Sequence, residues 1–315
     1  MALRYMNLVT KILFTTIILA SSVLIFVTMA LTSKLRTAVD IISSQVIISS
    51  VIITTVSWSY KTYLRWRVGS RQSTVVCLFI TTLGLAGYIV VLASYLSVAV
   101  MQLVIVKRGM HEFGKLFTRR IASMASVGMW IVSIAASGVA VAGRYGNIHA
   151  YIYDPVSQTC YSHVLDSTSS NLLLSLGTAI WTLLSVAATS MCYTITIRAL
   201  RSQLPPEKLK SLAAKRTYGI EKLSAKTRRR LVASVKRIIA LMLLYMVVLL
   251  PAGIISGLSA VSRTSLRYTC QQVAYTLSLV GMTAHFLVYI LSYCPRCKAC
   301  YMLLIGRYKD IEYNV

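Results

Sequence analysis

Acidic side chains are scarce in this chain. Its 315 residues hold 8 Asp and Glu against 33 Lys and Arg, and only 13% are charged. Soluble domains carry about 25% charged residues, so a soluble protein is excluded. The short alternating segments of a transmembrane β-barrel are missing too. The seven cysteines follow no metal-binding pattern. Cys294, Cys297 and Cys300 stand close together in CPRCKAC, but no fourth ligand lies near them. No acid pair, metal cluster or Ser/His set sits in an apolar run, which argues against an enzyme, and no cofactor is implied. An internal repeat of the transporter kind is absent. So is any Asn-x-Ser/Thr sequon, which is uncommon for a protein exposed at a cell surface.

What is present is apolar: 57% of residues are hydrophobic. Seven charge-poor runs reach membrane length, at 12–33, 41–60, 74–106, 121–142, 172–197, 238–261 and roughly 269–294. The first follows Arg4 and Lys11 and is too long for a signal-peptide core, so it reads as a crossing. The third holds 33 residues without a charge. As a helix it would extend about 50 Å, against ~30 Å for a bilayer core, so it must cross at a tilt. The fold expected is all-α: a seven-span bundle over 1–295 and a short tail over 296–315.

The basic residues orient the bundle. The segments after spans one, three and five and the tail hold 24 of the 33 Lys and Arg, against 9 on the other side. Positive-inside places the N-terminus outside and the C-terminus in the cytoplasm. Lys61, Arg65, Arg67 and Arg71 then form a basic extracellular rim. Net charge is +25. In a soluble protein this would suggest nucleic acid; here the bases suit anionic lipid and acidic partners. The longest polar segment, 198–237, contains Pro205, Pro206 and the run Lys226, Arg228, Arg229, Arg230. It reads as a loop on anionic lipid, or as basic extensions of spans five and six that meet a cytosolic partner.

Cys77 falls at the outer end of span three and Cys160 in the longest outer loop. Outside the cell they are a candidate disulfide that would pin the loop over the bundle. The other reading is two free thiols. Cys297 and Cys300, beside Arg296 and Lys298, are candidate palmitoylation sites. His285, in span seven, reads as a titrating group or as a hydrogen-bonded packing residue.

Seven spans with the N-terminus out and that cysteine pair resemble rhodopsin-like (class A) G-protein-coupled receptors. Trp130 in GMWIVSIAASG is similar to the family's span-four tryptophan, and Tyr193 to its inner span-five tyrosine. Pro251 in LLYMVVLLPAG stands at the family's span-six kink, where a missing backbone hydrogen bond gives a pivot. Tyr289 ends His285-Phe286-Leu287-Val288-Tyr289, in place of Asn-Pro-x-x-Tyr, and Pro295 precedes a stretch resembling a short membrane-surface helix. The resemblance implies a ligand pocket between the outer halves of spans three, five, six and seven. Its candidate lining is Thr82, Gly84, Tyr88, Trp181, Leu249 and Tyr275.

Several departures from the family pattern bear on function. Met101, Gln102 and Leu103 occupy the place of Asp-Arg-Tyr, so the ion pair that locks the family's inactive state cannot form there. Gln102 can still hydrogen-bond a partner's backbone, but it is no cation. No Asp or Glu lies inside a span; the nearest, Asp40, sits at an edge. A buried ammonium would lack a counter-ion, which disfavours amine ligands and favours apolar or acidic ones. Tyr193 and Tyr289 would meet through water when span six swings, or else serve as interfacial anchors.

The sequence thus resembles a divergent receptor of virus-encoded or chemosensory type. The resemblance implies a multi-pass protein of the plasma membrane (the host's, if viral) that passes a ligand signal or basal activity to heterotrimeric G proteins. The alternative is a non-coupling or constitutive decoy that partners other receptors, with a receptor oligomer as its form. A channel or transporter is disfavoured by the missing intramembrane acids and repeats.

Overall fold

The computed structural model describes residues 2–31, 37–55, 74–143, 151–154, 159–162 and 168–203. Further on it describes 247–248, 250–251, 254–255, 273, 276–278 and 280–286. Five long helices dominate: α1 (Ala2–Leu31), α2 (Ala38–Ile52), α3 (Thr74–Leu116), α4 (Arg119–Gly143) and α5 (Thr168–Gln203). Each contains a stretch long and apolar enough to cross a membrane. They correspond to the first five expected spans. Most of spans six and seven lies outside the described residues.

The helices are turned inside out relative to those of a soluble protein. On α4, Ala122, Ser126, Ser133 and Ser137 are buried, while Met124, Ile131, Val132 and Val139 are exposed. On α5, Thr182, Ser185, Thr189 and Thr196 are buried, and Ile180, Leu184 and Met191 face outward. Small and hydroxylated residues let helices approach closely, and bulky apolar ones suit lipid. The hydroxyls cost little because many bond back to their own helix. Ser22, Thr28, Ser50 and Thr196 reach the carbonyls of Ile18, Leu24, Val46 and Cys192 at 2.6, 2.6, 2.6 and 2.7 Å.

Helices α2 and α3 form the centre. They bury 67% and 56% of their apolar windows, against 28, 22 and 33% for α1, α4 and α5. Three apolar clusters join the bundle. Ile18 and Ile25 of α1 meet Ile47, Ile53, Met282 and Phe286. Val46 of α2 meets Val91, Leu92 and Tyr95 of α3 and Val186 of α5, with Tyr88 and Leu250 at the edge. Ala38 and Ile42 of α2 meet Val98, Met101 and Phe113 of α3 and Ala122 of α4.

Helix α2 starts on a capping box. The Thr37 hydroxyl accepts from the Asp40 backbone, and the Asp40 carboxylate accepts from the Thr37 backbone. Asp40 is 2% exposed, so the acid at the edge of span two is buried in a capping role.

One expectation needs correction. The segment after span three is not a loop from 107: α3 runs on to Leu116, and only Phe117 and Thr118 separate it from α4. Phe113, buried between Ala38 and Ala122, gives the charged extension an apolar anchor, and its ring stacks on Phe117 at 5.1 Å. The Thr118 hydroxyl accepts from the Ile121 backbone at the start of α4. The helical class expected holds, with one short ribbon added to it. Strands β1 (Tyr151–Asp154) and β2 (Thr159–Ser162) pair antiparallel, with Tyr153 opposite Cys160. Tyr-Ile-Tyr and Thr-Cys-Tyr favour extended backbone, and Asp154-Pro155 between them marks a turn in the sequence. Both strands pack against α3.

Candidate functional site

A stripe of three polar side chains runs along the inward face of α3. Tyr88, Tyr95 and Gln102 recur every seven residues, which stacks them on one helix face about 10 Å apart. Each faces a different neighbour. The Tyr88 hydroxyl pairs with the Thr182 hydroxyl of α5 at 2.9 Å. The Tyr95 hydroxyl pairs with His285 Nδ1 at 2.9 Å, and the two rings meet edge-on at 5.3 Å. Tyr95 and His285 are 4% and 3% exposed. Gln102 is buried as well, and its Oε1 has no hydrogen-bond partner among the described residues.

Tyr193 of α5 completes the lower part of the stripe. It packs on Ala99, one turn from both Tyr95 and Gln102. Its hydroxyl is likewise buried and without a partner among the described residues. The stripe therefore has two satisfied members above and two unsatisfied hydroxyl and amide groups below. Between α2 and α3, Ser49 and Ser94 are fully buried and their hydroxyls also lack partners among the described residues.

A second polar tie crosses from α4 to α2. Trp130 Nε1 donates to Gln45 Oε1 at 3.0 Å, and Gln45 is held in place by its own amide, which donates to the Ile41 carbonyl. Replacing Trp130 with phenylalanine should lower stability by about 1 kcal/mol, the net worth of one buried neutral hydrogen bond. Thermal unfolding in detergent, with Gln45→Leu as the partner variant, checks this. Non-additivity in the double variant is the expected sign of the bond.

The expected site residues divide as follows. Met101 is packed in the apolar cluster with Ala38, Ile42 and Phe113, so it carries no polar role. Leu103 is half-buried. Thr82 and Gly84 are half-buried too, and a side chain at Gly84, one turn above Tyr88, would meet no described residue within 4 Å. Trp181 is 49% exposed and does not converge with them; its neighbour Thr182 faces α3 instead. Pro251 is half-buried, next to Leu250, which packs against the cluster that holds Tyr95 and Val186. Cys77 lies in the first turn of α3 and Cys160 on β2. Leu249, Tyr275, Tyr289, Lys61, Arg65, Arg67, Arg71, Cys297 and Cys300 lie outside the described residues.

Sequence reasoning missed Tyr95, the one member of the stripe with a bond to 280–286. The seven-residue spacing of Tyr88, Tyr95 and Gln102 was the signal available. Among the described residues no group of His, Cys, Asp and Glu is arranged to hold a metal. No family model matches the chain, and no curated protein matches it.

Proposed function

We propose that the chain is a receptor-like membrane protein of seven spans. It passes an extracellular ligand signal, or a basal activity, to heterotrimeric G proteins through movement of span six. The observation that carries this reading is the buried polar stripe on α3. It runs from Gly84, which no described residue crowds, past Tyr88 and Tyr95, to Gln102, and so would link the place a ligand would occupy to the place a cytosolic partner would meet. Transmission through a membrane needs such a chain of packed and hydrogen-bonded groups able to hold two arrangements. The ligand class that suits the outer part is apolar or acidic, because no carboxylate faces it among the described residues.

Orientation rests on the basic residues, with the C-terminal ends of α3 and α5 in the cytoplasm. Lys107, Arg108, Arg120 and Arg198 are all exposed at that end. The β1–β2 ribbon then lies outside. Its packing on α3 supports a Cys77–Cys160 disulfide. Thiol labelling of intact cells with and without reductant checks this: both cysteines should label only after reduction, and labelling of both without reductant removes the bridge.

The test of coupling is G-protein activation in cells expressing the parent or Gln102→Arg. The parent should show activation above an empty-vector control. Restoring the cation should change that level severalfold without changing surface expression. Silence of both at normal surface levels favours the second reading, a non-coupling decoy. The neutral, buried Gln102 and the apolar packing of Met101 are what favour it.

A further inference from the structure

We propose that the gap between α4 and α5 is a binding groove for one anionic phospholipid, which lays an acyl chain along α3 and sets its phosphate on Lys107. Helices α4 and α5 each pack along α3, and no comparable seam joins them to each other among the described residues. The contacts of α3 show which of its faces lies in the gap. Ser97 faces α4, with its hydroxyl 4.0 Å from Met129 Sδ. Tyr88 and Ala99 face α5, through Thr182 and Tyr193. Ile89, Ala93, Leu96 and Val100 fall between these two flanks, at steps of four, three and four residues. Although α3 is one of the two central helices, this line on it is left half-buried, and Val100 is 39% exposed. The walls are apolar too. Val132 lies on the flank of α4 turned away from the Trp130–Gln45 bond and is exposed, and Cys192 of α5 is half-buried beside Ala99.

Dimensions and charge select the occupant. Ile89 to Val100 covers about 16 Å of helix, half of a ~30 Å hydrocarbon core, so the line is one leaflet deep. Two turns beyond Val100 on the same face, Lys107 is exposed, with exposed Arg108 beside it in sequence. No Asp or Glu occurs in 74–111, 119–143 or 168–203; Glu112 stands five residues past Lys107. The groove therefore meets a cation at its inner end and no carboxylate along its length. An acyl chain needs an apolar track about one leaflet long, and a phosphate needs a cation where that track ends. The two are in register here. A sterol would leave Lys107 without a role, because its single hydroxyl carries no charge. The bound chain also fills the contact that α4 and α5 do not make with each other, so the lipid serves as a packing element of the bundle. The inference goes beyond the signalling reading and does not depend on it. The positive-inside orientation makes the lipid one of the cytoplasmic leaflet.

The test uses the full chain in phosphatidylcholine nanodiscs doped with a phosphatidylserine that carries a photoactivatable diazirine on its acyl chain. Adducts are mapped by mass spectrometry after illumination. They should concentrate on 89–100 and exceed those at Ile131, which faces outward from α4. Excess unlabelled phosphatidylserine should clear them, and the same excess of phosphatidylcholine should not. Lys107→Gln should lower the yield on 89–100 about fivefold, the effect of one basic side chain at an anionic headgroup, and leave Ile131 unchanged. Lys107→Arg keeps the charge and should stay within about twofold of the parent. Equal labelling of 89–100 and Ile131 overturns the proposal, since it marks ordinary boundary lipid. An unchanged yield in Lys107→Gln overturns it as well. If cholesterol clears the adducts and phosphatidylserine does not, the groove holds a sterol and the phospholipid proposal fails.

Discussion

Gly281→Ala should destabilise the bundle by roughly 1–3 kcal/mol, the usual cost of overpacking. A Cβ built at Gly281 would come within 2.9 Å of Val248 Cγ1 and 3.5 Å of its Cβ. The nearer distance is too short for carbon atoms, and the clash is with a β-branched side chain that has little freedom to turn away. Spans six and seven therefore touch at this point only because residue 281 has no side chain. Val248 sits in a wide turn at 247–248, three residues before Pro251. A proline removes a backbone hydrogen bond, which weakens the helix at this point. The strain from a new methyl group should be taken up there, with span six displaced from span seven. Thermal unfolding in detergent measures the loss. Val248→Ala in the same chain should recover most of it, because it removes the atoms in conflict. If Val248→Ala gives no recovery, the close contact at Gly281 is not what fixes the seam.

Tyr193→Phe should act in the opposite direction on stability. The Tyr193 side chain is 1% exposed, and its hydroxyl has no partner among the described residues. Burying a hydroxyl without a hydrogen bond costs about 1–3 kcal/mol, so deleting the oxygen while keeping the ring should raise stability by an amount on the order of 1 kcal/mol. Basal G-protein activation should fall severalfold in the same variant, since Tyr193 completes the lower part of the stripe proposed to carry the signal. A stabilised protein that signals less separates this residue from an ordinary core tyrosine, whose loss would leave signalling untouched. A lower unfolding midpoint would mean that the hydroxyl has a partner in the folded protein.

The helices were largely legible in the sequence because lipid imposes a blunt requirement. A crossing helix needs a long run with few charges, and such runs are visible without knowing their neighbours. The starts of α3 at Thr74 and of α4 near Ile121 follow directly. The end of α3 does not. The charges at Lys107 and Arg108 mark where the apolar run stops, yet the helix continues because Phe113 finds a pocket beside Ala38 and Ala122. That pocket exists only once three helices are packed. The ribbon was obscured for a different reason. Strands of four residues carry a weak periodic signal, and theirs lies within a polar loop.

The candidate site was half legible. Tyr88, Gln102 and Tyr193 stand out as polar groups in apolar runs. Tyr95 does so equally, but its meaning depends on His285, 190 positions away. Gln45 is similar: nothing local distinguishes it from any amide in a span until Trp130 is placed beside it. Long-range pairing of neutral groups leaves no spacing rule to read. The burial of Asp40 was hidden as well, although Thr37 three residues earlier carries the signature of a capping box.

Biogenesis inherits the hydroxyl pattern. Ser22, Thr28, Ser50, Thr54, Ser97, Ser126 and Thr196 each take an acceptor from their own helix. None of these seven groups waits for another helix to satisfy it. A newly made helix can therefore leave the translocon and sit in hydrocarbon with many hydroxyls of its future contact face already quenched. Insertion and assembly become separable stages. The order in which helices emerge then need not match the order in which they associate.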